Sequence, residues 1–187
     1  LMCWAACDRL ANAAGHIGKP DREQHWRTRA EEIRAAIMAR AWRPDLGRFA
    51  ATLDGDEMDA SLLQLLEARF LPAEDEKFLA TFSAIERDLK RGSQLLRYAA
   101  EDDFGRPETA FNFCTFWFIE ALHRVGRRQE ACVLFERMLE RRTSSGLLSE
   151  DSDFDTGEAW GNFPQTYSLA GLINCAVLLS DPWSKVR

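Results

Sequence analysis

The chain has 187 residues, 46% of them hydrophobic and 29% charged, which suits one domain with a sizeable core and is marginal for two. Aromatics at 11% and the lack of any low-complexity tract exclude a disordered chain, and the longest apolar run, Phe116 to Ile119 with its flanks, is broken by Glu120 and His123, which excludes a bilayer span. Thirty acidic against 24 basic residues, a net charge of -6, argue against nucleic acid as the partner and favour neutral, polyhydroxylated ligands.

Residues 2–15 form the first apolar helical stretch, which Leu1 enters directly with no basic leader, as expected of a chain cut from a longer one. Residues 20–42 are amphipathic, with Trp26, Ala30, Ile33 and Ile37 on one face. Ala60 to Leu71 is apolar nearly all round, and residues 73–91 return to amphipathic pattern through Phe78, Phe82, Ile85 and Leu89. Residues 108–125 are again apolar, residues 128–142 are amphipathic through Ala131, Leu134, Phe135 and Met138, and Phe163 to Leu179 closes the series as an apolar stretch. Helices that are apolar all round must be covered on most sides. The alternation therefore predicts an all-α chain in two concentric layers, an α/α toroid present as roughly its second half, within one domain over residues 1–187.

Inner-to-outer links are short (Gly15 to Pro20, Pro72, Gly126-Arg127), whereas outer-to-inner links run from Arg43 to Met58, Gly92 to Pro107 and Thr143 to Asn162. Every long loop is thus expected at one end of the ring, where sites are usually built. The loops are acidic: Asp54, Asp56, Glu57 and Asp59 in the first; Glu101, Asp102, Asp103 and Glu108 in the second; Glu150, Asp151, Asp153, Asp155 and Glu158 in the third. Phe49, Tyr98, Phe104, Phe154, Trp160 and Phe163 are interleaved with them, and aromatic faces beside carboxylates and an arginine make a surface for sugar rings. The alternative is that these acids cap helices and stay solvated, as expected of Asp59 ahead of the Leu62 helix.

Glycoside cleavage needs two carboxyl groups, and no rival chemistry is present. His16, His25 and His123 have no Ser or Cys in a nucleophile context, and no phosphate-cradling glycine motif occurs. Asp151-Ser-Asp153-Phe-Asp155 departs from a calcium loop because Thr156 holds the glycine position and Asn162 the bidentate glutamate position, so no metal or cofactor is expected. Of the five cysteines, Cys114, Cys132 and Cys175 read as buried free thiols, and Cys3 and Cys7 share a helix face without further zinc-spaced ligands; the odd count implies a reducing, cytoplasmic setting.

Gly146-Leu-Leu-Ser-Glu150, then Gly161-Asn-Phe-Pro-Gln165, with Phe113-Cys-Thr-Phe-Trp117 upstream, resembles glycoside hydrolase family 15, the bacterial glucoamylases and family-15 trehalases. Met2-Cys-Trp-Ala-Ala-Cys-Asp-Arg9, Asp59-Ala-Ser-Leu-Leu63 and Arg97-Tyr98 resemble further segments in the same order, so the likeness covers nearly the whole chain. The resemblance implies an (α/α)6 barrel and an inverting α-glucosidic hydrolase with Glu150 as the general base. It makes Arg97 similar to the arginine that holds the terminal sugar, and puts Phe111 where some members place a stacking tryptophan. Glu108 either binds sugar hydroxyls or caps a helix at Thr109, and Trp160 and Phe163 either wall the pocket or pack within their loop.

The family's general acid lies in a Trp-Glu motif upstream of the segment resembling Met2 to Arg9, and this sequence does not contain it, so the chain alone is expected to be inactive. The expected substrate is an α-linked glucose oligosaccharide, a polysaccharide or trehalose, with no nucleic acid and no membrane. The first reading is exo-release of glucose from α-glucan ends, with trehalase the runner-up. A tetratricopeptide-like interaction protein is the alternative from another class, through Ala121 to Ala131 and the helix after it, but its 34-residue period is missing. A toroidal epimerase or lyase shares the architecture without a reason for Leu-Leu-Ser-Glu150.

Overall fold

The computed structural model describes residues 1–103 and 105–180; Phe104, placed by the sequence among the loop aromatics, lies outside them. Among the described residues the fold is carried by seven α-helices, and the strands between them are two or three residues long. Two compact units are formed, one by Leu1–Glu57 with Gln64–Thr81, the other by Met58–Leu63 with the described residues from Phe82 onward.

The first unit opens with the hairpin α1 (Met2–His16) and α2 (Pro20–Arg40). Pro20 at the start of α2 has the fixed φ that a first turn needs, and Asp21 and Glu23 there and Arg40 at the end complement the helix dipole. Ala30 and Ile37 are buried as the periodicity requires, and Trp4 meets Phe70 edge-on at 4.9 Å between ring centroids. A small hairpin follows, β1 (Trp42–Arg43) paired with β2 (Arg48–Phe49) in the register Trp42↔Phe49, over which Lys77 lies 4.2 Å from the Trp42 ring. The helix expected over Ala60 to Leu71 is instead a 3-10 turn (Ala60–Leu63) and one α turn, α3 (Gln64–Glu67). Arg69 takes a left-handed conformation, φ 60°, that ends the turn ahead of Pro72.

Helix α4 (Glu76–Leu89) begins in the first unit and ends in the second, with the Asp75 carboxylate accepting from the backbone N–H groups of Lys77 and Phe78 at 2.9 and 3.1 Å. Phe78, Phe82, Ile85 and Leu89 are all buried, as their spacing indicates. In the second unit, β3 (Lys90–Arg91) and β4 (Gln94–Leu95) form a tight hairpin, and the three-stranded sheet β5 (Thr109–Phe111), β6 (Asp151–Asp153), β7 (Ala159–Trp160) occupies the ends of the long loops. Its central pairing is Thr109↔Asp153, Ala110↔Ser152 and Phe111↔Asp151. The apolar stretch expected to turn helical from residue 108 therefore starts its helix later, as α5 (Asn112–Arg124), because residues 109–111 spend their backbone hydrogen bonds on the sheet.

Helix α5 is buried on nearly every side, through Cys114, Phe116, Phe118, Ile119, Ala121 and Leu122 among others, as expected of an inner helix. It packs against the amphipathic α6 (Arg128–Glu140) and against α7 (Thr166–Leu179). Arg127 binds Glu86 near the end of α4 at 2.6 and 2.9 Å and Glu130 on α6, its guanidinium 5.7 Å from the Phe82 ring. The thiols of Cys114 and Cys175 are buried, which pushes their pKa up, whereas Cys132 is half-buried. Two apolar helices are more open than their composition suggests. On α1, Met2 and Leu10 are exposed, and on α7 so are Tyr167, Ile173 and Val177, because each of these helices packs chiefly against a single partner, α2 or α5. No helix among the described residues is long and apolar enough to cross a membrane.

Helices α5 and α7 meet closely at Gly171, where a Cβ would stand 2.8 Å from the Cβ and Cδ2 of the fully buried Phe116. Gly171→Ala must push α7 off α5 and is expected to destabilise the protein by about 1–3 kcal/mol, read as a lowered thermal unfolding midpoint.

Candidate active site

The acidic loop residues divide sharply by what they touch. In the first loop the Asp54 carboxyl is held below its usual range by its pairing with Arg40, and that of Glu57 by its own backbone N–H and then by a hydrogen bond from Thr52. Asp59 does cap the Leu62 turn, accepting from the Ser61 N–H at 2.7 Å. Asp153 accepts from the backbone N–H groups of Asp155 and Thr156 and from the Thr156 hydroxyl, closing its own turn. Tyr98 donates to Asp102 at 2.6 Å.

Glu150 and Asp151 behave differently. With Arg97, Tyr98, Pro107, Thr109 and Phe111 they line one cavity of about 210 Å3. The two carboxyls are adjacent in sequence and half-buried. Burial and then the charge of Glu150 push the Asp151 carboxyl up to about 6, opposed by a hydrogen bond from the Thr109 hydroxyl. Opposite charge comes from Arg97, whose Nε lies 3.6 Å from Asp59 Oδ2 and whose carbonyl accepts from the Ala60 N–H at 2.7 Å. Asp59 is thus both a cap and a tether for the arginine.

The Glu150 side chain is held at one oxygen. Oε2 accepts from the Asn162 backbone N–H at 3.1 Å and from Asn162 Nδ2 at 2.7 Å, and the backbone closes the pair because the Glu150 N–H donates to the Asn162 carbonyl at 2.9 Å. Gly161 makes room for this: its φ is +74°, and a Cβ there would stand 2.9 Å from Oε2 and 3.0 Å from the Glu150 Cβ.

Beneath the carboxylates lies a buried polar network. Asn112, fully buried at the start of α5, donates from Nδ2 to the Ser149 carbonyl at 3.0 Å and accepts from the Ser152 hydroxyl at 2.9 Å, while its N–H donates to the Glu150 carbonyl at 3.0 Å. Ser168 on α7 donates to the same Ser149 carbonyl at 2.7 Å. Residues 149–152 are therefore fixed from both helices that pack beneath them.

Of the residues singled out in the sequence, Glu150, Arg97 and Phe111 line the same cavity. Phe111 is anchored by Phe113, with ring centroids 6.4 Å apart, and Phe113 in turn stacks on Tyr167 at 5.6 Å. Glu108 lines a neighbouring cavity instead, with Arg91, Arg106, Phe154 and Asp155, and it caps no helix at Thr109, since Thr109 is in β5 and α5 begins at Asn112. Trp160, in β7, is 53% exposed and Phe163 is 51% exposed; neither lines the cavity. Asp151, Thr109 and Asn162 were not singled out for the site. Asp151 stood among many loop acids, and Gly161-Asn162 stood within a motif of the family resemblance that carried no role for either residue.

Because the folded-state pKa of Asp151 lies above its ordinary 3.8, the folded protein binds the extra proton between about pH 4 and pH 6, and stability falls as pH rises through that window. Asp151→Asn removes this dependence. Thermal unfolding should show the variant matching the wild type near pH 4 and exceeding it at pH 7. Asn112→Ala, which strips partners from Ser149 and Ser152, is expected to cost about 1–3 kcal/mol at either pH.

The family model for glycosyl hydrolases family 15 matches residues 1–177, across both units. A trehalase of Mycolicibacterium smegmatis is 37% identical over 180 residues, 95% of this chain and 27% of that protein. A trehalase of Thermoplasma volcanium is 35% identical over 182 residues, 97% of this chain and 29% of that protein. The chain thus spans less than a third of the curated relatives it matches. Among solved structures, a wild-type glycosidase superposes with a TM-score of 0.72 at 18% identity, over 84% of this chain and 44% of that one. A glycosidase variant in complex with glucose gives 0.76 at 17% identity, over 90% of this chain and 48% of that one. The helical fold expected from the sequence is accordingly shared with six-hairpin glycosidases, and the chain belongs to glycosyl hydrolases family 15.

Proposed function

We propose that this chain supplies the general-base half of an inverting α-glucosidic hydrolase, with Glu150 as the base and trehalose as the substrate. The observation that carries the reading is the placing of Glu150 in a cavity with Arg97 and Phe111, its carboxylate fixed at one oxygen. A carboxylate so held takes a proton from a water molecule as that water attacks the anomeric carbon, the glycosidic C–O bond breaks, and the departing oxygen takes a proton from a second carboxylic acid. In an inverting site that acid stands roughly 6.5–9.5 Å from the base, across the bond. It belongs to the part of the relatives' length that this chain does not span. Arg97, tethered by Asp59, donates to sugar hydroxyls, and the Phe111 ring offers an apolar face to the sugar.

Trehalose is favoured because curated relatives at 34–37% identity are described as trehalases. Release of glucose from α-glucan ends is the other reading, since both substrates end in an α-linked glucose and the resemblance extends to glucoamylases. A setting inside the cell, with no nucleic acid or membrane partner, agrees with the acidic charge and the free cysteines.

In a full-length protein carrying this segment, Glu150→Gln should lower kcat by several orders of magnitude with KM little changed, since the amide keeps the shape but takes no proton. Near-normal turnover in that variant removes Glu150 from the mechanism. Following fresh product by NMR, trehalose should yield one β- and one α-glucose, and maltooligosaccharides, if cleaved, only β-glucose; exclusive release of α-glucose contradicts inversion.

A further inference from the structure

The two donors of Asn162 converge on one oxygen of Glu150, and among the described residues the other oxygen accepts no hydrogen bond. For a group that must accept a proton from water, this asymmetry matters. An oxygen already accepting two N–H groups has little lone-pair density left for a third donor, whereas its partner has all of its own. The side chain lies over Gly161, where an added Cβ would stand 2.9 Å from Oε2, 3.0 Å from Cβ and 3.4 Å from Cγ of Glu150. Chain connectivity reinforces the arrangement, with the Glu150 N–H donating to the Asn162 carbonyl and Gln165 N–H donating to the Leu148 carbonyl at 2.9 Å each.

We infer that Asn162 is the positioning residue of the reaction: it holds Glu150 Oε2 through its backbone and side-chain N–H groups, so that Oε1 alone faces the attacking water and receives its proton. The inference rests on Glu150 being the general base. Among the groups lining the cavity, Arg97 is the cation beside the two carboxyls, with Tyr98 the remaining titratable group.

The test is made in a full-length protein carrying this segment, with Glu150→Gln alongside. Asn162 is exposed and, among the described residues, its side chain bonds only to Glu150, so truncation disturbs little else. Asn162→Ala should lower kcat roughly ten- to hundred-fold and leave KM within about two-fold. Asn162→Asp, which has the same shape but sets a second carboxylate against Oε2, should lower kcat at least as far, again with KM little changed. A kcat unchanged in both variants, or a loss confined to KM, overturns the assignment while an inactive Glu150→Gln leaves the proposed function standing. Full activity in Glu150→Gln would instead remove the reading on which the assignment rests.

Discussion

A single buried amide organises this site. Asn112 sits in the first turn of a helix whose other residues are almost all apolar, where an unpaired amide is costly; it is satisfied only if the segment carrying Ser149 and Ser152 lies against it. That requirement fixes the register of β5 on β6, so Thr109, Ala110 and Phe111 face Asp153, Ser152 and Asp151. Once the register is set, Glu150 and Asp151 border the same cavity as Thr109 and Phe111. Ser168, reaching the Ser149 carbonyl from α7, supplies the second support. The chemistry of the loop is thus specified by polar groups in the helical core.

Above this base, each functional side chain is held by a partner of its own. Arg97 is tied through Asp59 to the 3-10 turn, and Glu150 is tied through Asn162 to the turn before α7. Such pairings hold the site in place, and the Asp151 carboxyl within it is pushed up by its burial and then by the charge of Glu150 beside it. Other loop carboxylates are held by near neighbours, Asp54 by Arg40 and Asp153 by its own turn, while Glu108 and Asp155 line the second cavity.

Much of the helical pattern was legible, because burial of one face imposes a period that a chain cannot hide: Phe78, Phe82, Ile85 and Leu89 are buried as their spacing requires. The short strands were not. Two or three residues carry too little alternation to register, and Thr109–Phe111 reads as the start of a helix until its partner strand is known. In the site, Glu150 and Arg97 were marked by motifs that resemble a family. The capping alternative for Glu108 failed because it depended on that helix start. Asn162 and Asp151 were missed because their importance is relational: one oxygen of Glu150, and the charge on it, give them meaning.

The account turns on Glu150 being the group that activates water on the face of the sugar opposite the leaving oxygen. Removing its side chain leaves space there for a small anion that needs no base. In a full-length protein carrying Glu150→Ala, added azide is predicted to restore consumption of the α-glucoside and to give β-glucosyl azide, identified by its anomeric proton coupling. Formation of α-glucosyl azide, or turnover that azide leaves unchanged, would contradict the placement of Glu150 as the base.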